Sequence, residues 1–283
     1  MTLDQLQAGV VLPIDKPRQW TSFQVIGKIK AILRHQLGIK NIKIGHAGTL
    51  DPLASGLLLV CIGRATKSIP TLQDADKTYT GTFLLGATTP CFDLEQPIDH
   101  YYPYLHLTLP QLQSAAASFL GQQQQVPPAF SAVKVDGQRA YQLAREEGFS
   151  PALQAKPITI HQFDITAFRP GQPFPNPTQP TESTQPAVPS QPQPPLSSRT
   201  PHPSPQKAPH LYNNPLGQVP SHLPQADFLI RCSKGTYIRS IARDLGLALQ
   251  SGALLAALRR EQIGPYSISQ ALSLDQIENT LLE

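Results

Sequence analysis

A proline-rich stretch at residues 170–226 divides this chain and limits what can fold around it. Seventeen of the 30 prolines lie in this stretch, which has only three charged side chains, Glu182, Arg199 and Lys207. Proline fixes φ and removes a backbone donor, so the stretch favours neither helix nor sheet. With few apolar residues it cannot offset the entropy of ordering. We predict a disordered or polyproline-like insertion, with a ligand for an SH3-type partner as the alternative.

The insertion separates two globular parts, residues 1–169 and 227–283, which mix strands with helices. Apolar patterning predicts five strands, at residues 9–17, 56–63, 77–86, 157–165 and 227–232. Helices are predicted to begin at an N-cap Ser22, at Leu109, at Ala140 and at Ile238. Because the order shows no steady βαβ alternation, we predict an α+β fold. The two strands that flank the insertion are expected to pair like a hairpin with a very long connection.

Charge and cysteine content restrict the class of protein. The net charge is +4 and the pI is about 9.0, a modest lean toward polyanionic partners. The longest apolar run, residues 57–62, is too short to cross a bilayer, and the N-terminus lacks the pattern of a signal peptide. Three separated cysteines without a CxxC pair predict neither a disulfide nor a zinc site. We therefore expect a cytoplasmic protein with no membrane span and no metal.

A short loop at residues 45–56, GHAGTLDPLASG, carries one carboxylate, Asp51, directly before Pro52. Its three glycines permit positive φ and close approach of a backbone or ligand, and a polar loop before a buried strand often holds a catalytic group. A structural alternative stays open, in which the carboxylate accepts backbone N–H bonds in an Asx turn. The chain lacks P-loop, nucleophile-elbow and HExxH motifs, so a lone acid is the main candidate.

Two tyrosines and an arginine are the other candidates for chemistry. Tyr79 lies in KTYTG, and Tyr237 and Arg239 lie in SKGTYIRS. An arginine beside a carboxylate favours its ionised form. The structural alternatives are a half-buried cross-strand position for Tyr79 and a solvated first-turn position for Arg239.

Six segments together resemble the TruB family of tRNA pseudouridine synthases, over nearly all of residues 9–169 and 227–278. The segments are DKP (15–17), GHAGTLDPLASGLLLVCIGRATK (45–67), DKTYTG (76–81), VPPAFSAVKVDGQRAYQLAREEG (126–148), KGTYIRSIARDLG (234–246) and LRREQIGPYSI (258–268). The GHxGxLDPxAxG block and KGTYIR are the most specific of them.

This resemblance implies a pseudouridine-synthase fold: a mixed sheet with helices on its faces and a central active-site cleft. It implies isomerisation of uridine to pseudouridine at position 55 in the T-loop of tRNA. The steps would be base flipping, glycosidic cleavage assisted by Asp51, and carbon–carbon reattachment. It also implies that the T-arm of tRNA is the partner, that the protein is a monomer, and that no metal or organic cofactor is needed.

The resemblance also assigns roles to single residues of the catalytic group. Asp51 matches the family's catalytic aspartate, and Arg239 matches the arginine that pairs with it. Lys16, together with Pro17, matches a motif that supports the catalytic loop.

Four further residues match the substrate-binding positions of the family. His46 matches a histidine that contacts the region of the flipped nucleotide. Tyr79 matches the tyrosine that stacks on the target base. Tyr237 and Leu258 match residues that line the uridine pocket.

The chain departs from the family pattern at two places, and two alternative functions stay open beside the one that the resemblance implies. Relatives usually carry a C-terminal RNA-binding PUA domain, but only about fifteen residues follow Ile268, so we expect that domain to be missing or very reduced. Relatives also have a threonine-rich acidic stretch where this chain reads GATTPCFDLEQP (86–97), and we assign no function to Asp93. The alternatives are a tRNA-binding chaperone without chemistry, and a pseudouridine synthase that acts on another RNA.

Overall fold

The structure, a computed structural model, describes residues 1–131, 133–135, 138–140, 153–173, 206–207 and 220–282. Most of the predicted insertion lies outside the described residues, and so does the helix predicted to begin at Ala140, apart from Ala140 itself.

The described ranges contain helices, a large sheet and short strand pairs. The helices are α1 (Leu3–Ala8), α2 (Ser22–His35), α3 (Ile69–Asp74), α4 (Leu109–Ala117), α5 (Ile238–Ala248) and α6 (Gln276–Leu282), with 3-10 turns at Gly63–Ser68 and Ile268–Gln270. The large sheet contains β1 (Val10–Lys16), β2 (Ile44–Ala47), β3 (Ala54–Ile62), β4 (Lys77–Leu85), β7 (Gly121–Gln125), β10 (Lys156–Arg169), β12 (Gln225–Cys232), β13 (Ala253–Ile263) and β14 (Tyr266–Ser267). The short strands are β5 (Ala87–Thr88), β6 (His100–Tyr101), β8 (Lys134–Val135), β9 (Gln138–Arg139) and β11 (Gln206–Lys207).

The large sheet is mixed, which confirms the predicted fold class. Its order is β1-β3-β13-β4-β12-β10-β7, with β2 also on β3 and β14 on β13. Among the described strands, β3 and β13 form a parallel pair and the other neighbours in this sheet are antiparallel. Strands from both sides of the insertion therefore alternate in one sheet.

The pair that flanks the insertion is β10 and β12, which run antiparallel as expected. β12 begins at Gln225, two residues earlier than the predicted boundary. The reason is that Gln225 still pairs with Arg169 at the end of β10.

β3 explains why the sequence GLLLVCI has no polar alternation. Side chains alternate between the two faces of a strand, and here both faces are buried. One face of β3 packs on α2 through Leu58, Val60 and Ile62, and Leu57 and Leu59 belong to a second cluster. A continuous apolar run is typical of a strand covered on both sides.

The N-cap predicted at Ser22 is wrong by one residue, because Thr21 caps α2. The Thr21 hydroxyl accepts the Gln24 N–H at 3.1 Å, and the Gln24 amide oxygen accepts the Thr21 N–H at 2.7 Å. This reciprocal pair needs Gln or Glu three residues after the cap, and the residue three after Ser22 is Val25.

The helix predicted from Leu109 to residue 121 is shorter than expected. α4 ends at Ala117, and Gly121 begins β7 with a φ of +90°. A left-handed glycine does not continue a helix. The longest described helix, α2, has 14 residues, and no described helix combines the length and apolar character that a membrane span requires.

Candidate active site

The loop that carries Asp51 fills a gap along one edge of β3. β2 pairs with β3 as far as Ala47, opposite Leu59. β13 pairs with the same strand only at residues 54–56. β1 occupies the other edge over the whole of residues 56–62. The loop therefore leaves the sheet where β2 ends and returns where β13 arrives.

A buried arginine, Arg260 of β13, bridges this gap between β3 and the loop. Its side chain is almost fully buried, at 1% exposure. Nε donates to the Leu57 carbonyl at 2.7 Å and Nη2 donates to the Gly48 carbonyl at 2.9 Å. Gly48 has a φ of +85°, and a Cβ there would lie 3.4 Å from Nη1. A glycine is needed because the loop backbone turns left-handed directly against the guanidinium.

Lys16 fixes the far end of the same loop. Its ammonium group, at the end of β1, donates to the carbonyls of Pro17 (3.0 Å), Trp20 (2.5 Å) and Ala54 (2.5 Å). Burial, opposed by the Asp51 charge and assisted by the Arg260 charge, lowers the pKa of Lys16 to about 8. The ammonium group thus holds backbone carbonyls on both sides of the loop's end, and the supporting role of Lys16 stays a prediction.

Ser22 fixes the beginning of the loop from the first turn of α2. Its buried hydroxyl accepts the Leu50 N–H at 3.0 Å and donates to the Leu50 carbonyl at 3.3 Å. The residue directly before Asp51 is therefore attached to a 14-residue helix. The sequence did not predict this contact, since it had Ser22 as a cap.

Asp51 and Arg239 form an ion pair across this loop, as expected. Arg239 Nη2 lies 2.9 Å from Asp51 Oδ2, and the exposed fractions of the two side chains are 7% and 42%. The solvated position considered for Arg239 is therefore wrong. In the described part of the chain, the Asp51 carboxylate accepts no backbone N–H, so the Asx-turn alternative fails, and Oδ1 has no hydrogen-bond partner.

Arg239 is also held by a second, buried carboxylate, Asp93. Their side chains approach to 3.5 Å, and Arg239 further donates to the carbonyls of Cys91 (3.3 Å) and Phe130 (3.0 Å). Burial works against the charge of Arg239, but Asp51 and Asp93 outweigh it and raise its pKa. The guanidinium is thus a fixed cation between one buried and one half-exposed acid.

Asp93 is a site residue that the sequence reasoning missed. Its carboxylate is 5% exposed and accepts the Glu95 N–H and the Cys91 thiol, both at 2.9 Å. Burial raises the pKa of Asp93, although Arg239 opposes the shift. Burial and Asp93 raise the pKa of Cys91 to about 12, so this thiol stays protonated. An acid among the apolar residues of CFDL was the available signal, because a buried charge needs a partner.

The two predicted tyrosines lie within electrostatic reach of Asp51. Tyr79, on β4, is 8% exposed, and burial raises its pKa, with a small contribution from Asp51, against the opposing charge and hydrogen bond of Arg260. Tyr237 directly precedes α5, and burial, with a smaller contribution from Asp51, raises its pKa. Its backbone exchanges two hydrogen bonds with the Gln125 side chain, at 2.8 and 3.1 Å.

His46 and Leu258 lie beside the loop, and neither side chain forms a hydrogen bond or ion pair with Asp51 in the described part of the chain. His46 is half-buried on β2, opposite Val60; burial and then Arg260 lower its pKa, so its ring is neutral at neutral pH. Its Nδ1 is buried without a hydrogen-bond partner among the described residues. Leu258 on β13 is half-buried, opposite Ala54 on one side and Gly81 on the other. Leu258 shares its sheet face with Tyr79, because its partner Gly81 points the same way as Leu258 and lies two residues after Tyr79 on β4.

The structure therefore collects the predicted residues around one loop and adds Ser22, Asp93 and Arg260. No group of three or more His, Cys, Asp or Glu side chains suited to a metal occurs in the described ranges. The central cleft at this site stays a prediction.

Comparisons with known proteins place the chain among pseudouridine synthases. The family model "TruB family pseudouridylate synthase (N terminal domain)" matches residues 34–174, and "tRNA pseudouridylate synthase B C-terminal domain" matches residues 239–283. The chain is 40% identical to a protein of Flavobacterium johnsoniae named tRNA pseudouridine synthase B, over 99% of this chain and 100% of the relative. It is 38% identical to a protein of the same name from Phocaeicola vulgatus, over 96% and 93%.

Solved structures share the fold at low sequence identity. A chain of the crystal structure of a Cbf5-Nop10-Gar1 complex aligns with a TM-score of 0.59 and 21% identity. A chain of an H/ACA RNP bound to a substrate RNA containing 2′-deoxyuridine aligns with a TM-score of 0.56 and 20% identity. Both alignments cover 99% of this chain, but the chain spans only 56% and 55% of those solved chains.

Proposed function

The chain belongs to the TruB family of pseudouridylate synthases, and from this premise we propose that it isomerises uridine 55 in the T-loop of tRNA. It is an isomerase: the glycosidic C1′–N1 bond of uridine is broken and a C1′–C5 bond replaces it. The atoms of the nucleoside are conserved, because the hydrogen lost at C5 is balanced by one gained at N1.

Binding has to unstack the uridine first. A base inside a structured RNA loop is out of reach of protein side chains, so it is extruded into a pocket. Tyr79 offers an aromatic surface for this base, worth roughly 1–3 kcal/mol by analogy with single-strand stacking. We assign Tyr237 and Leu258 to the walls of the pocket and His46 to the flipped nucleotide's surroundings.

Bond cleavage builds positive charge at C1′ as the electron pair leaves with N1. A carboxylate facing that carbon stabilises the charge, whether it acts electrostatically, as a nucleophile or as a base at C2′. We assign this role to Asp51, whose Oδ1 is unoccupied in the described structure while Oδ2 is bound by Arg239. Arg239 thereby orients the carboxylate, and Lys16, Ser22 and the loop backbone hold its position.

The observation that carries the proposal is the Asp51–Arg239 ion pair. Its members come from opposite sides of the proline-rich stretch. The arginine is nine-tenths buried, yet the acid keeps 42% of its side-chain surface exposed. A purely structural ion pair does not require that one carboxylate oxygen stay accessible, so the exposure of Asp51 favours a role in binding or chemistry.

The test is Asp51→Asn, assayed by mapping pseudouridine in tRNA incubated with the purified chain. We expect modification at position 55 to disappear while tRNA affinity stays within a few fold. Asp227→Asn is the matched control, because Asp227 also pairs with an arginine, Arg169 at 2.6 Å, but on the β10–β12 pair. Ordinary turnover by Asp51→Asn would remove its catalytic role. If the wild-type protein bound tRNA without modifying it, the chaperone alternative would be favoured. If it modified only another RNA, tRNA would be excluded as the substrate.

The remaining parts of the proposal concern the state of the protein. We propose that it acts in the cytoplasm as a monomer, without metal or organic cofactor, and that residues 170–226 connect two parts of one catalytic domain, 1–169 and 227–283. We expect activity to survive chelation and dialysis. We also expect the active species to have a mass of 30.9 kDa in solution. Activity confined to a dimer, or restored only by a metal, would contradict it.

A further inference from the structure

Positive charge is concentrated in one early segment of the chain. Residues 16–73 hold nine of the 23 Lys and Arg and one of the 19 Asp and Glu, which is Asp51. Nine cations against one anion give this segment a formal charge of +8. The rest of the chain has fourteen cations against eighteen anions, a charge of −4.

Part of this charge surrounds a cavity at the C-terminal end of α2. The cavity has a volume of about 480 Å³ and is enclosed by α2, the connection after it and the start of β2. Its apolar lining includes Leu33, Ile39 and Ile42. Its cationic rim, with all four side chains exposed, consists of Lys30, Arg34, Lys40 and Lys43.

The rim cations have no acidic partners in the described structure. None of the four forms a salt bridge there, whereas Arg169, Lys234 and Arg259 each pair with an aspartate. Compensation of the negative end of the helix dipole accounts for a cation in the last turn, such as Arg34. It does not account for Lys40 and Lys43, which follow the helix. The acid that contacts α2, Glu278, is bonded to Gln36.

The cavity lies beside the start of the loop, because its lining residue Ile44 directly precedes Gly45, and α2 connects it to the part of the loop that carries Asp51. α2 begins at Ser22, which is bonded to Leu50 beside Asp51, and ends at the cavity. At about 1.5 Å per residue, the 8 to 12 residues from Ser22 to the lining residues Lys30 and Arg34 separate the two places by roughly 12–18 Å along the helix. An RNA held at both places therefore extends past the nucleotides directly adjacent to the modified base.

We propose that this cavity docks the sugar–phosphate backbone of the substrate RNA at a region outside the T-loop. Its exposed, unpaired cations bind phosphates and release counterions, and the apolar lining receives a ribose or a base face. Contacts of this kind position an RNA without reading its sequence. The inference rests on the proposed function, since it assigns a second contact to the same substrate.

The test compares two triple variants of the full chain. The first, Lys30→Gln with Lys40→Gln and Lys43→Gln, removes the charges. The second replaces the same three lysines with arginine and preserves the charges, so it is the matched control. Dissociation constants are measured from 50 to 200 mM KCl for full-length tRNA and for an isolated T-arm hairpin, together with single-turnover rates at saturating RNA.

We expect the glutamine variant to bind full-length tRNA more weakly, with a log–log salt slope shallower by about 2–3. The affinity advantage of the wild type over the glutamine variant then shrinks by roughly 16- to 64-fold between 50 and 200 mM salt. Hairpin affinity, saturated turnover and the melting temperature are expected to stay unchanged, and the arginine variant is expected to match the wild type.

Equal affinity and equal salt slope of the glutamine variant and the wild type would overturn the inference. So would an equal loss on the hairpin, because the contact would then lie at the T-arm. If the glutamine variant lost only its binding of polyglutamate, the cavity would belong to an acidic polypeptide. Failure of the wild type to bind or modify tRNA would instead remove the proposed function, which keeps the two failures distinct.

Discussion

Replacing Ser22 with alanine should disable the catalytic loop without touching the substrate. The hydroxyl satisfies both backbone groups of Leu50, at 3.0 and 3.3 Å, and Leu50 is 4% exposed. An unsatisfied buried polar group costs about 1–3 kcal/mol. Because the longer bond is weak, we expect a total loss of about 2 kcal/mol in unfolding free energy, which lowers Tm by roughly 4–8 °C. Part of this strain is relieved if the loop moves, and a shift of ~1 Å in a catalytic group lowers turnover by about 100-fold.

The assay is single-turnover release of tritium from C5-labelled uridine in tRNA, since the C5 hydrogen leaves in the reaction. Thr21→Ala is the control, because it removes the adjacent cap of α2 at a cost of ~1 kcal/mol but makes no contact with Leu50. We expect both variants to be less stable, and only Ser22→Ala to be slow at saturating RNA. Equal turnover of the two variants, or a Ser22→Ala defect confined to RNA affinity, would refute the idea that Ser22 positions Asp51.

Two further predictions concern the buried cations. Burial lowers the pKa of Lys16 from 10.5 to about 8, so between these pH values the unfolded chain binds more protons than the folded chain. The unfolding free energy of the wild type, relative to that of Lys16→Met, should therefore rise with pH across this range by at most about 3 kcal/mol. A difference that does not change with pH in urea titrations would contradict this prediction. Arg239→Met should cost about 3–5 kcal/mol, because it leaves a buried carboxylate uncompensated. Adding Asp93→Asn should restore much of that stability but no turnover, and recovery of turnover would show that Arg239 only balances charge.

Apolar periodicity and chain order were enough to predict the main strands, whereas the exact cap of α2 and the partners of the buried charges were not predicted. The β3 run and the pairing of β10 with β12 follow from apolar periodicity and chain order, and both are confirmed. The cap of α2 was misplaced by one residue because both Thr21 and Ser22 are good caps, and Gln24 decides between them.

Within the candidate site, resemblance to the family supplied Asp51 and Arg239, and the structure brings them into contact. Arg260 and Asp93 could not be found in that way, because their meaning depends on what surrounds them. Arg260 is a charge at a buried position of the strand ALLAALRREQI, and its partners are carbonyls of a segment more than 200 residues earlier. Such a charge signals an unusual site, but the sequence does not reveal which backbone groups it satisfies.

The order of the strands also affects how the chain folds during translation. β12 lies between β4 and β10, yet it is translated after both of them and after the proline-rich stretch. At about 5–20 residues per second, synthesis of that stretch delays β12 by roughly 3–10 s. During this interval the ribosome carries two strands with bare hydrogen-bonding edges, which are sites for unwanted association. The rate of elongation through the proline-rich stretch therefore sets how long these strand edges of the nascent enzyme stay unpaired and prone to aggregation.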